Sequence, residues 1–136
     1  MRYYLAKSEP SVYSIDDLER DRKTVWDGVT NAQAVKAIRA MKPGDRVFFY
    51  HSGGLSAVAG FANVLSDARD DPKNPKSAVV DLGYGGRLDP PTSLAEVKQS
   101  GKFDDWALVR QSRLSTMEAP AKFVEWMRAR YPAANI

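Results

Sequence analysis

The chain has 136 residues, 43% of them hydrophobic, which suffices for the core of one ordinary domain spanning residues 1–136. Lysine and arginine together number 20 and the acidic residues 17, so the net charge of +3 permits a phosphate-bearing partner without requiring one. The absence of cysteine excludes disulfides and thiolate metal sites, and the single histidine, His51, excludes a histidine-rich metal site.

The first third of the chain predicts a strand followed by two helices. Residues 3–6 are aromatic and apolar, and a polar loop follows them. Ser14 can cap a helix whose first turn contains Asp17, and Asn31 can cap a second helix. That second helix should end at Pro43-Gly44, where proline and glycine fit a type II turn.

The middle of the chain predicts a hairpin. Residues 46–50 give the strongest strand pattern, and Gly53-Gly54 allows the chain to reverse into a second strand over residues 57–65. Residues 67–76 are charged and contain two prolines, so we expect an exposed loop there. The sheet should resume over residues 78–82.

The last third predicts short elements and a closing helix. The segment Ser93-Leu94-Ala95-Glu96 is a capping box that opens a short helix. Residues 106–109 and 113–115 are predicted to be extended, and Phe123 and Met127 lie on one stripe of an amphipathic helix. Short strands interrupted by short helices favour an α+β domain with a mixed or barrel-like sheet. The expected core includes Phe48, Phe49, Phe61, Leu65, Val79, Leu108 and Phe123.

Six separated segments, spread over nearly the whole chain, resemble the EVE domain family. They are Lys7-Ser8-Glu9-Pro10, Tyr13-Ser14-Ile15-Asp16-Asp17-Leu18, Trp26-Asp27-Gly28-Val29-Thr30-Asn31, Val47-Phe48-Phe49-Tyr50-His51-Ser52, Ala59-Gly60, and Leu108-Val109-Arg110-Gln111 with Arg113-Leu114-Ser115. The resemblance implies a PUA-like mixed β-barrel of about five to six strands flanked by short α-helices, distantly similar to YTH domains. It also implies binding of a modified base in nucleic acid. Thr30 departs from the arginine that is common in the family at this place.

The residues that the resemblance brings to a base-binding site come from four separate parts of the chain. They are Lys7, Ser8, Trp26, Asn31, Tyr50, His51, Ser52, Arg113 and Ser115. A pocket for one base needs a flat apolar wall and a few fixed donors and acceptors. Trp26 offers the largest flat surface, although an indole in this place can also simply cover one end of a barrel.

The polar candidates have structural alternatives. Asn31 can contact a base edge or cap the second helix. Lys7 can meet a phosphate or form a salt bridge to Glu9 or Asp27, and Arg113 can bind phosphate, stack on a base or pair with Glu9. A basic group at one helix and turn could follow a nucleic-acid backbone or form a solvated helix face. Its members are Lys36, Arg39, Lys42 and Arg46.

We therefore expect a non-enzymatic module that binds DNA or RNA containing a modified base, with neither cofactor nor metal. One alternative is a sensor of a free nucleoside or other small metabolite. Another is a hydrolase acting on a nucleotide, with His51 as general base and Glu9 or Asp27 assisting. The sequence has no signal-like N-terminus and no apolar stretch of about 18 residues, which predicts no membrane segment and a cytoplasmic location, or a nuclear one in a eukaryote. It makes no prediction of oligomeric state.

Overall fold

The computed structural model describes residues 1–136 and contains seven strands and five helices. In chain order they are β1 (Tyr3–Ser8), α1 (Ile15–Asp21), β2 (Lys23–Trp26), α2 (Ala32–Ala40), β3 (Arg46–His51), β4 (Ala57–Val64), β5 (Arg69–Asp71), β6 (Asn74–Ser93), α3 (Leu94–Gln99), α4 (Ala107–Arg110), β7 (Thr116–Glu118) and α5 (Ala121–Arg130). The predicted α+β class is confirmed. None of the helices is long and apolar enough to cross a membrane.

One mixed sheet organises the chain, in the order β2-β6-β4-β3-β1-β7, with β5 paired to β6 outside this order. Strands β1 and β3 run parallel, and the other pairs are antiparallel. The end strands β2 and β7 do not pair with each other, so the expected closed barrel is wrong in that respect. These strands have only four and three residues. Helix α2 instead packs against both β6 and β7 and bridges part of the gap.

The two faces of β3 carry two different aromatic groups, because successive side chains of a strand point to opposite sides. Phe48 packs edge-on against Phe123 of α5, with ring centroids 5.2 Å apart. Phe49 lies on the other face and meets the Trp26 ring at 5.5 Å and the Tyr13 ring at 6.5 Å. The same strand therefore anchors the α5 side of the core and the side on which the candidate site lies.

Helix α1 is fixed at its start by a capping box, in which Ser14 accepts the amide hydrogen of Asp17 and Asp17 accepts that of Ser14. Gly60 of β4 allows this helix to approach the sheet closely. A Cβ placed on Gly60 would lie 2.5 Å from Cδ1 of Ile15, a distance that side chains do not adopt. The turn before α1 is thereby held against the sheet.

Three local predictions differ from the structure. Residues 107–110 form helix α4 rather than a strand, because Trp106 donates from its indole to the Glu118 carbonyl at 2.9 Å and packs on Phe123, which fixes the chain in a turn. Residues 67–76 contain β5 and the start of β6 rather than a plain loop. Leu65 is 50% exposed because it lies across Gly83, which has no side chain to cover it.

Candidate functional site

A cavity of about 590 Å³ opens between the two ends of the sheet. Small-molecule sites are commonly roughly 300–1,000 Å³ in volume. Its walls come from the end of β1 with the following turn, from β2 with the loop that leads to α2, and from the segment just before β7. The lining residues are Lys7, Ser8, Glu9, Val12, Tyr13, Thr24, Val25, Trp26, Asp27, Gly28, Val29, Thr30, Asn31, Arg113 and Ser115. The cavity thus occupies the gap that a closed barrel would have lacked.

Trp26 is both a core residue and part of the cavity wall. Its indole contacts Phe49 edge-on, with the ring planes 75° apart, and only 9% of the residue is exposed. The exposed remainder faces the cavity, since Trp26 is one of the lining residues. Covering the sheet end and offering a surface to a ligand are therefore compatible roles for this residue.

Asn31 divides its two alternative roles between two atoms. Its Oδ1 accepts the amide hydrogens of Gln33 at 2.9 Å and Ala34 at 3.1 Å, which caps α2. The side chain also lines the cavity, and its Nδ2 group makes no hydrogen bond within the protein. An amide nitrogen with two hydrogens is thus left to donate to a ligand.

Lys7 lies in the wall without an acidic partner. Its Nζ donates to the Ser112 carbonyl at 3.0 Å and sits 5.5 Å from the centre of the Tyr50 ring. Burial lowers the pKa of Lys7. It forms no ion pair, so the alternative salt bridge to Glu9 or Asp27 is wrong.

The other polar candidates of the wall are also largely uncommitted. Ser8 donates its hydroxyl hydrogen to the Tyr13 carbonyl at 2.6 Å, which leaves the oxygen as an acceptor. Ser115 accepts the Lys7 amide hydrogen at 2.8 Å through its backbone carbonyl, so its hydroxyl is not used in that contact. Arg113 is exposed and forms neither a hydrogen bond nor an ion pair, which makes the expected pair with Glu9 wrong as well.

The structure does not bring Tyr50, His51 and Ser52 to the cavity surface, which corrects the expectation for all three. Tyr50 is 3% exposed and lies beneath Lys7. His51 is 8% exposed and accepts the amide hydrogen of Ile15 on Nε2 at 3.0 Å. The Ser52 amide donates to the Ser8 carbonyl at 2.9 Å. These residues hold the wall from behind, because β3 lies in the middle of the sheet.

Comparison with known protein families assigns the chain to one of them, because the sequence model of the EVE domain family matches residues 2–130. The chain belongs to the EVE domain family. Human thymocyte nuclear protein 1 is 31% identical over 83% of this chain, and the rat protein is 34% identical over 71%. This EVE domain spans only 66% of the length of the human relative and 55% of the rat one.

Solved structures share the fold of this EVE domain over nearly its full length. A hypothetical protein from Leishmania major has a TM-score of 0.90 at 32% identity, with 98% of this chain and 96% of that chain covered. The human THYN1 protein, solved in complex with 5-methylcytosine-containing DNA, has a TM-score of 0.84 at 26% identity, with 96% and 97% covered.

The charges around the cavity of this EVE domain balance. Lys7 and Arg113 carry the positive charges, and Glu9 and Asp27 carry the negative ones. A strongly anionic or cationic small molecule gains little from such a lining, whereas a neutral heterocycle with donors and acceptors on its edge is well matched to it. The cavity chemistry therefore fits a base better than a free phosphate.

The geometry opposes the hydrolase interpretation. A general base needs a free lone pair within reach of the substrate, but Nε2 of His51 is occupied by the Ile15 amide and the ring lies outside the cavity lining. Burial lowers the pKa of His51, followed by a raising effect of Asp16 and a lowering effect of Arg87. No group of three or more His, Cys, Asp or Glu side chains could hold a metal ion.

Sequence reasoning missed the wall contributed by Val12, Tyr13, Thr24 and Val25. Thr24 could have been found from the period of two in an extended segment, because it shares the side of Trp26 once β2 is recognised as a strand. Val12 carried a weaker signal, an apolar residue in an otherwise polar turn. The strand pairing of β2 with β6 was not visible in the sequence pattern.

Proposed function

We propose that this EVE domain binds nucleic acid and holds one base, in a modified form, in the cavity between β2 and β7. The observation that carries the proposal is the juxtaposition of the exposed part of Trp26 with the uncommitted amide nitrogen of Asn31 in one charge-balanced cavity. A flat apolar surface beside a fixed donor is what recognition of a single base requires. The complex of the human THYN1 protein with 5-methylcytosine-containing DNA supports the same ligand class.

The other wall residues have complementary roles in this proposal. Ser8 and Ser115 offer hydroxyl groups to the base edge, while Lys7 and Arg113 meet the flanking phosphates. Phosphate contacts position the ligand and contribute affinity that falls with salt, whereas the base contacts give selectivity. Tyr50, His51 and Ser52 support the wall without touching the ligand.

Fluorescence anisotropy with labelled oligonucleotides tests the proposal. Matched DNA and RNA oligonucleotides, each with one cytosine or one 5-methylcytosine, are titrated at two salt concentrations. We expect tighter binding of the modified form, with a ratio between modified and unmodified that persists at the higher salt. Equal and purely salt-dependent binding of all four would refute recognition of the modification.

Substitution of Trp26 tests whether the cavity is the base-binding site. Trp26→Leu keeps an apolar side chain against Phe49 but removes the flat ring, so the affinity for the modified oligonucleotide should fall by roughly 5- to 150-fold, as expected for about 1–3 kcal/mol of stacking. Trp26→Phe retains a ring and should keep part of the affinity. The melting temperature of each variant shows whether the loss is due to unfolding. A folded Trp26→Leu protein with unchanged affinity would place the ligand elsewhere.

A free nucleoside is a second candidate ligand, because three of the four basic residues predicted near α2 are engaged within the protein. Arg39 pairs with Asp70, Lys42 with Asp67, and Arg46 bonds to the Asn135 carbonyl, while Lys36 forms no ion pair. Competition separates the two ligands: an oligonucleotide should bind much more tightly than its modified nucleoside. Equal affinities would favour a nucleoside sensor.

A further inference from the structure

Val12 is an apolar side chain in an unusual place. It is 75% exposed, and it stands on the rim of the cavity. Of the large hydrophobic side chains that are exposed, only Val12 and Val25 line the cavity, and Val25, on the edge strand β2, is less exposed at 48%. Val12 is thus the most exposed apolar side chain beside the candidate base site.

The turn that carries Val12 is firmly anchored. The amides of Val12 and Tyr13 both donate to the Glu9 carbonyl at 2.9 Å. The Ser8 hydroxyl donates to the Tyr13 carbonyl at 2.6 Å, and the Tyr13 hydroxyl donates to Asp21 at 3.0 Å. The valine itself has a stiff first side-chain torsion because it is branched at Cβ. A fixed turn therefore presents a stiff apolar side chain to solvent.

A docked protein does not account for this feature. A specific protein interface buries about 800 Å² on each partner, and two valines on a polar rim are far from such an area. A duplex accounts for the exposed Val12 better than a protein partner does. When one base leaves the stack, the gap between its two neighbours is lined by apolar base faces and is narrow enough for a single side chain.

We propose that Val12 is a wedge that enters the base stack of double-stranded nucleic acid at the position from which the bound base has been extruded. The inference rests on the proposed function, and it narrows the ligand class to a duplex. A base cannot enter the cavity from within a duplex without leaving its stack, which costs unstacking and unpairing. Val12 offsets part of this cost by filling the gap, as apolar side chains do in proteins that kink or unstack DNA.

The test compares Val12→Ser with Leu55→Ser as a matched control. Leu55 is a similarly exposed apolar residue, at 57%, on the loop after β3 and away from the cavity lining. Each protein is titrated with a duplex that contains one 5-methylcytosine, with the corresponding single strand, and with the unmodified form of each. A second duplex carries 2-aminopurine next to the methylated base, because the fluorescence of this analogue rises when its stacking is disturbed.

We expect Val12→Ser to weaken duplex binding by about tenfold, since the apolar contact in the gap is lost. The 2-aminopurine signal at saturation should also fall, because the base is extruded in a smaller fraction of the bound duplex. Binding of the single strand should change by less than about twofold, because a single strand has no paired stack to repair. Leu55→Ser should match the wild type in every measurement. The melting temperatures of both variants should equal that of the wild type, since each residue is exposed.

Other results overturn the inference. If Val12→Ser binds the duplex as tightly as the wild type with the same 2-aminopurine signal, or weakens duplex and single strand equally, Val12 is not a wedge. If the wild type itself shows no preference for either methylated ligand over its unmodified form, the proposed function fails together with the wedge. The first two results leave the proposed function standing.

Discussion

Substitution of Asn31 can separate the capping role of its oxygen from the ligand-binding role of its nitrogen. The oxygen Oδ1 holds the amides of Gln33 and Ala34, and the nitrogen Nδ2 is uncommitted at the cavity. Aspartate keeps an oxygen in the capping position but has no amide hydrogens, whereas alanine has neither group. The pair Asn31→Asp and Asn31→Ala therefore separates the two roles, because both variants lose the donor and only alanine loses the cap.

The structure sets the size of each effect. Alanine removes both capping bonds and should lower the free energy of unfolding by about 1 kcal/mol, which is about 3–5 °C in melting temperature for a chain of this size. Aspartate should preserve stability or raise it by about 0.3–1 kcal/mol, because the first turn of α2 has no acidic residue to interact with the helix dipole. Both variants lose the donor to the base, which should weaken binding by about tenfold.

Thermal unfolding and anisotropy titration with a 5-methylcytosine oligonucleotide measure the two effects on the same samples. The expected pattern is a stable but weakly binding Asn31→Asp protein and a less stable, weakly binding Asn31→Ala protein. An Asn31→Asp protein with wild-type affinity would refute the ligand contact of Nδ2. An Asn31→Ala protein with the wild-type melting temperature would refute the capping role of Oδ1.

Four further substitutions test the packing of the folded chain. Burial lowers the pKa of His51 from 6.5, so the unfolded chain takes up a proton before the folded chain does, and the free energy of unfolding should fall as the pH drops below about 6.5. His51→Gln should lose less stability than the wild type between pH 7.5 and 5.5 in denaturant titrations, and an identical pH profile would contradict this role. Gly60→Ala should lower the free energy of unfolding by about 1–3 kcal/mol because the new methyl group meets both the Ile15 side chain and the Gly86 carbonyl oxygen, and a neutral effect in urea would contradict this close packing. Thr116→Val should be neutral or stabilising by up to about 1 kcal/mol, because the buried Thr116 hydroxyl has no hydrogen-bond partner. Its control, Thr92→Val, removes a hydroxyl bonded to Tyr131 at 2.6 Å and should destabilise the fold, so equal losses in thermal melts would contradict this distinction.

Local features of the fold were predictable because their causes lie within a few residues of sequence. The caps at Ser14, Asn31 and Ser93 each form the hydrogen bonds that the sequence predicts. Helix α4 was not predictable in the same way, since the contact of Trp106 with β7 joins residues that the sequence does not show to be neighbours. The exposure of Leu65 depends likewise on the glycine that the sheet places beneath it.

The candidate site shows the same limit. Lys7, Trp26 and Asn31 were found because the resemblance supplied the pairing of distant segments that local patterns lack. The same resemblance brought His51 to the site, but the start of α1 covers this side chain, whose Nε2 accepts the Ile15 amide hydrogen. Which strand ends are covered by other elements is decided by the whole topology, so the sequence cannot reveal which strand end is open to a ligand.

The cavity exists because the sheet does not close. Unpaired strand edges are usually a liability, and here both end strands are short. Helix α2 packs against β6 and β7 and closes one part of the gap, while its cap residue Asn31 lines the open part. Strand β2 supplies Thr24, Val25 and Trp26 to the cavity wall, and β7 begins directly after the lining residue Ser115. The proposed ligand site therefore depends on the open edges, and we expect a folded variant in which β2 and β7 are joined to lose oligonucleotide binding in the anisotropy titration.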